Sequence, residues 1–158
     1  MHKIFFFLLL ACGGNTFSQS PDFDKLPTLA WQFKAGPIVS SPVMDGDFVY
    51  FGSLDRSLYA LETKTGILQW KYPTSGVIRS TVCLENDNLF LYSGNGVLYC
   101  LNKKSGKQNW KFQTATGYLG DRHNDFADYY HSSPIVQNGI VYFGSGDGYV
   151  YADKKQQW

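Results

Sequence analysis

Apolar residues along this chain come in short runs, and the runs recur in one fixed order. FVYFGS, LFLYSG and IVYFGSG each precede a second run, SLYALE, VLYCLN and YVYAD. A shorter segment comes before each pair, and SSPV, RSTV and SSPI align there. Turn residues punctuate the runs. Asp45-Gly46, Asn86-Asp87 and Asn138-Gly139 separate the first two, as hairpin turns with positive φ require. SLDR, SGNG and SGDG come next, and ETKTG and NKKSG follow the third run. In the last pair the glycine can take a left-handed position while Thr or Ser bonds the turn backbone. FVYFGS and its counterparts do not alternate cleanly between apolar and polar, the pattern of a strand buried on both faces.

Tryptophan keeps time with this pattern. The four tryptophans stand at positions 31, 70, 110 and 158, and the first three are spaced by roughly forty residues, a period that marks a repeat architecture. Four strands per period is one blade of a β-propeller. A β-sandwich would give no reason for the tryptophans to stay in phase with the turns. The expected fold is all-β, with four-stranded antiparallel blades at about 38–73, 78–113 and 131–158. LAWQF, 29 to 33, reads as the fourth strand of a blade whose other strands are missing upstream, and the last repeat supplies three strands and no fourth. About three blades should form an open arc rather than a closed ring, since closure takes roughly four to eight. Uncovered blade faces invite self-association.

Composition agrees with a packed β protein: 44% of the 158 residues are hydrophobic, 17% are aromatic, and there are 16 glycines. Lys plus Arg number 14 against 13 Asp plus Glu, so no long-range field steers the chain onto nucleic acid. Residues 1–18 carry a basic start and an apolar run too short to span a bilayer, which reads as a signal peptide cleaved after Ser18 and followed by a linker over 19–28. The chain is then exported, periplasmic or secreted. The alternative takes Leu9 to Cys12 as a lipid-attachment box, with Cys12 acylated and the protein held at the outer membrane. Of the remaining cysteines, Cys83 falls in a first strand and Cys100 in a third, about 9 to 10 Å apart by ladder spacing. A disulfide needs Cα atoms within about 7 Å, so none is expected.

Ala60, Thr65, Gly66 and Trp70, spaced as A-x-x-x-x-T-G-x-x-x-W, resemble the tryptophan-docking motif of pyrroloquinoline-quinone-like (PQQ-like) β-propeller repeats. These occur in quinoprotein dehydrogenases and in the propeller lipoprotein of outer-membrane assembly. The likeness runs over roughly 29–153. It implies that the outermost-strand tryptophan packs between blades against the small residue and glycine turn of the neighbouring motif. Trp31, Trp70 and Trp110 take that role here, with Ala60, Gly66, Cys100 and Gly106 giving the indoles room. Cys100, Asn102 and Ser105 depart mildly from the family's Ala, Asp and Thr. The third repeat lacks the turn after Ala152, so Trp158 is not expected to dock.

Chemistry has one candidate location. The loop GYLGDRHNDFADYYH, inserted at 117–131, carries Asp121, Arg122, His123, Asp125, Asp128, Tyr130 and His131. Oxygen and imidazole donors suit a cation, yet the spacing matches no dedicated metal motif, so the loop is expected to connect blades or contact a partner or glycan, and no metal is assigned. The vicinal cysteine pair that the resemblance associates with quinone-dependent enzymes does not occur in the sequence, and neither pyrroloquinoline quinone nor calcium is expected. No serine sits in a nucleophile-elbow sequence. The leading expectation is therefore a non-catalytic, exported propeller segment acting as a scaffold for a protein partner. The alternatives are part of a quinone-dependent alcohol or sugar dehydrogenase, and a carbohydrate-binding or sensor ectodomain.

Overall fold

The computed structural model describes residues 28–114 and 132–154. Strands β1 (Val43–Asp45), β2 (Phe48–Ser53), β3 (Ser57–Glu62) and β4 (Leu68–Pro73) form the first antiparallel sheet in sequence order. Strands β5 (Cys83–Glu85), β6 (Asn88–Ser93), β7 (Val97–Asn102) and β8 (Gln108–Gln113) repeat it. Strands β9 (Ile135–Gln137), β10 (Ile140–Gly144) and β11 (Val150–Lys154) form a three-stranded third sheet. The all-β, open-arc expectation holds: three blade-like sheets, none closed, and no helix among the described residues. None of those residues forms a helix able to cross a membrane.

Central strands are buried on both sides, as their unbroken apolar character requires. Residues 49–53 of β2, 57–61 of β3 and their counterparts in β6 and β7 are all buried, because each sheet face meets a neighbour. Tyr50, Leu58 and Ala60 of the first sheet pack against Leu89, Leu91, Tyr99 and Leu101 of the second. Phe90, Tyr92, Leu98 and Cys100 on the opposite face of the second sheet meet Val141 and Phe143 of the third. Outer strands β4 and β8 are exposed in alternation.

The turns explain why these residues stop strands where they do. Asn138 and Gly139 both have positive φ (54° and 73°), the requirement of a type I′ hairpin. In the first sheet Asp45 pairs with Phe48, so the central turn residues are Gly46 and Asp47 rather than Asp45 and Gly46; the glycine, at φ 58°, is the residue the bend demands. Gly66 and Gly106 are left-handed as expected (φ 70° and 67°). Thr65 Oγ1 and Ser105 Oγ accept from the amides of Ile67 and Lys107, and Asn102 Oδ1 takes the amides of Lys104 and Ser105. Asn102 thus caps its turn as a carboxylate would.

Two further expectations need correction. Residues 29–33 are not a ladder strand; they run beside the first sheet with Trp31, Phe33 and Ala35 packed on Val49, Phe51, Tyr59 and Leu61. The alignment before each first strand also slips by one residue in the second repeat. Ser80 Oγ accepts from the Tyr92 amide and donates to its carbonyl, as Ser40 Oγ does with Gly52, and Ser132 Oγ accepts from the Gly144 amide. The equivalent segments are therefore SSPV, STVC and SSPI. A buried hydroxyl holding the second strand marks the true register.

Cys83 pairs with Phe90, and Phe90 pairs with Cys100. One strand stands between the two thiols, and no disulfide joins them.

Candidate functional site

Each outer strand bulges just before its tryptophan. Ala60 faces Trp70 while Leu61 faces Leu68, leaving Gln69 as the extra residue, and Asn109 is its counterpart ahead of Trp110. A bulge adds local twist and re-aims the next side chain. Trp70 lies over the turn of the second sheet: its Nε1 donates to Lys103 O at 3.1 Å. A Cβ on Gly106 would stand only 2.6 Å from the ring. Trp31 repeats this on the first sheet, donating to Thr63 O at 2.8 Å over Gly66. Ala60 and Cys100 are instead cross-strand partners of Trp70 and Trp110 in their own sheets. Trp110 packs on Phe90, and the turn it would meet next lies outside the described residues. So do Trp158, the 1–18 segment with Cys12, and Asp121, Arg122, His123, Asp125, Asp128, Tyr130 and His131 of the inserted loop.

At the opposite, inner edge the sheets are joined by hydroxyls. The Ser41 amide donates to Thr81 Oγ1 at 3.2 Å, and the Thr81 amide donates to Ser133 Oγ at 2.9 Å. These residues precede β1, β5 and β9, so the three short inner strands converge. They frame a cleft of about 590 Å³ lined by Val43, Met44, Cys83, Leu84, Pro134 and Ile135, with Asp45, Asn86 and Lys103 at its polar end. Met44 and Ile135 are 64% and 62% exposed. Lys103 Nζ, largely buried, is paired with the Asp45 carboxylate of the neighbouring sheet. Burial pushes the Cys83 thiol up, against a hydrogen bond from the Val136 backbone and with the help of Glu85, so the sulfur in the cleft stays protonated. Nearby, burial and then the Asp45 charge push Tyr50 to about 12, and its hydroxyl is buried without a hydrogen-bond partner.

This cleft was not foreseen from the sequence. Only Met44 and Ile135 hinted at it, as apolar residues in strands too short to be covered. Pyrroloquinoline quinone carries three carboxylates, and the lining offers one cation, Lys103, already engaged by Asp45. Among the described residues the cleft lining supplies no cation beyond that engaged pair. Among the described residues no cluster of three His, Cys, Asp or Glu side chains could hold a metal ion.

The other polar cluster sits at the far end of the sheets. The Tyr59 hydroxyl donates to Asp55, Lys71 Nζ lies 3.6 Å from the same carboxylate and 4.9 Å above the Tyr59 ring. Burial pulls the Asp55 carboxyl up, but bonds from Tyr59, Ser53 and Ser57 together with the Lys71 charge hold it below the usual carboxylate value. Tyr151 repeats the contact with Asp147 at 2.6 Å. The recurrence in the same position of two sheets marks it as a strut of the repeat.

Comparison with solved structures places this geometry. BamB from Moraxella catarrhalis is similar with a TM-score of 0.63 and 22% identity, over 80% of this chain and 36% of that one. The quinohemoprotein alcohol dehydrogenase ADHIIG from Pseudomonas putida HK5 gives 0.63 and 21%, over 82% and 21%. A quinohemoprotein alcohol dehydrogenase from Comamonas testosteroni gives 0.60 and 21%, over 77% and 20%. The chain thus spans about a third of the length of BamB and about a fifth of these dehydrogenases, and at such identities the likeness shows the fold. No curated protein sequence matches. The family model described as outer membrane protein assembly factor BamB matches residues 74–157, just over half of the chain. A docked repeat of sheet, glycine turn and bulged tryptophan strand, matched over that length, makes this chain a member of the PQQ-like β-propeller repeat family.

Proposed function

We propose that the chain is an exported, non-catalytic scaffold segment that holds another protein along its inner cleft, and that Trp31, Trp70 and Trp110 serve as the blade-to-blade clasps that keep the cleft in shape. The observation that carries this reading is the cleft itself. Two well-exposed apolar side chains, Met44 and Ile135, flank an ion pair whose charges already satisfy each other. Such a surface offers apolar contact area with polar groups at one end, which suits a protein segment better than a charged small molecule. Membership of a family whose model is described as an assembly factor supports the same direction. In this reading the segment works without quinone or calcium, and the 117–131 loop adds contacts to the partner.

A photo-crosslinking residue placed at Met44 or Ile135 in the exporting cell tests it. One discrete protein adduct is expected from both positions and none from the exposed outer-edge position Gln69. Equal adducts from all three, or quinone- and calcium-dependent alcohol oxidation by the purified chain, would overturn the reading.

A further inference from the structure

Tyr50 carries a hydroxyl that its place in the fold does not use. The side chain is fully buried and the hydroxyl has no hydrogen-bond partner, a costly state for such a group. Contacts with Phe48 and Trp70 account for the ring but not for the oxygen. Phe90 fills the same position in the second sheet without one.

A carboxylate stands nearby. Val43 faces Tyr50 and Asp45 faces Phe48, so Asp45 and Tyr50 are diagonal neighbours on one sheet face, a spacing that long side chains span. Burial and then the Asp45 charge raise this phenol, so the carboxylate is near enough to act on it. Asp45 is instead paired across the seam with the Lys103 ammonium, and both members of that pair line the cleft.

The two members are not equivalent. The Lys103 side chain is 16% exposed and that of Asp45 is 41% exposed. An incoming cation that drew Asp45 away would leave a largely buried ammonium without its counter-charge, which is strongly unfavourable. An incoming carboxylate that took Lys103 would leave the more exposed Asp45, with the Tyr50 hydroxyl at hand to donate to it. Only the second exchange leaves every group matched.

We infer that the cleft recognises a protein segment bearing a carboxylate side chain at its polar end: that carboxylate takes the Lys103 ammonium, and Asp45 turns to accept a hydrogen bond from Tyr50. The inference rests on the partner reading above and specifies the partner's chemistry. Before the segment arrives, the bridge shields the cation from other anions. The Lys103 carbonyl accepts from Trp70 and its amide donates to Asp87 O, so the backbone stays anchored while the ammonium changes partner.

The exchange is tested first without any partner. In the native chain Tyr50→Phe is expected to lower the unfolding constant about fivefold. In Lys103→Met, which releases Asp45 to Tyr50, the same substitution is expected to raise it at least about threefold. Failure of the sign to reverse overturns the inference, whatever the cleft binds. The second test titrates the purified native chain with a capped tripeptide of leucine, glutamate and leucine, and with its glutamine and lysine counterparts. The glutamate peptide is expected to bind at least about tenfold more tightly than either, and it alone to move the Tyr50 Cζ resonance. Absence of that preference also overturns the inference, while leaving the partner reading to the crosslinks at Met44 and Ile135.

Discussion

Leu98 and Val150 occupy the same position in successive repeats, one sealed at 0% exposure and the other open at 80%. Both are apolar strand residues, and the larger difference between the regions lies in their neighbours. Leu98 belongs to a face that meets Val141 and Phe143 of the next sheet, while no further sheet packs on the face of Val150 among the described residues. Burial in this fold is conferred by the adjoining repeat, so a residue's energetic weight depends on where its repeat stands in the row.

The sharpest way to break that comparison is at a clasp. Trp70→Ala should lower stability by on the order of 3 kcal/mol, read from urea midpoints, because the indole is shared between two sheets and its bond to Lys103 O is lost with it. Next come the paired truncations. Leu98→Ala should cost about 3 kcal/mol and Val150→Ala under about 0.5 kcal/mol, both read from urea midpoints. Equal effects would mean that position, not neighbour, sets the burial energy. Tyr50→Phe should stabilise by about 1 kcal/mol, since it removes a buried hydroxyl without a partner and copies the Phe90 found in the next repeat. The folded state raises this phenol to about 12 from its ordinary value of 10.0, so it holds its proton more tightly than the unfolded chain. Stability contributed below the unfolded value is lost as pH climbs toward 12, and the substitution flattens that limb.

Smaller still is a backbone effect. Arg56 sits at φ 65° where the sibling loops have Gly96 and Gly148 at 75° and 87°. Arg56→Gly should raise the urea midpoint by the equivalent of about 0.5 kcal/mol. Last is Asp55, whose carboxyl is held below its usual value. It favours the folded state above the ordinary carboxylate range of about pH 4, and that contribution fades as pH falls through the lowered value. Asp55→Asn should therefore flatten the acid limb of a stability–pH profile.

Period was legible in the sequence because hydrophobic runs, turn glycines and tryptophans all report it independently. Register was harder. RSTV resembles SSPV in composition, and only the bonds from Ser80 to Tyr92 show that the frame is STVC. LAWQF has a strand's alternation and sits where a strand would, but pairing needs a partner that no local pattern can reveal. The cleft was invisible for a similar reason: Asp45 and Lys103 belong to different repeats, and their ion pair exists because two turns meet across a seam. The lack of a disulfide between Cys83 and Cys100, by contrast, was readable at once, since strand spacing is a fixed length.

The inner hydroxyls carry a consequence for how such a protein grows. Thr81 receives an amide from the repeat before it and passes its own amide to Ser133 of the repeat after it. Each unit thus ends on the same handshake with which it begins. Duplicating one unit in the gene would insert a new link without altering either flanking bond, so the chemistry of the join sets no limit on the number of links; only the geometry of coming full circle does.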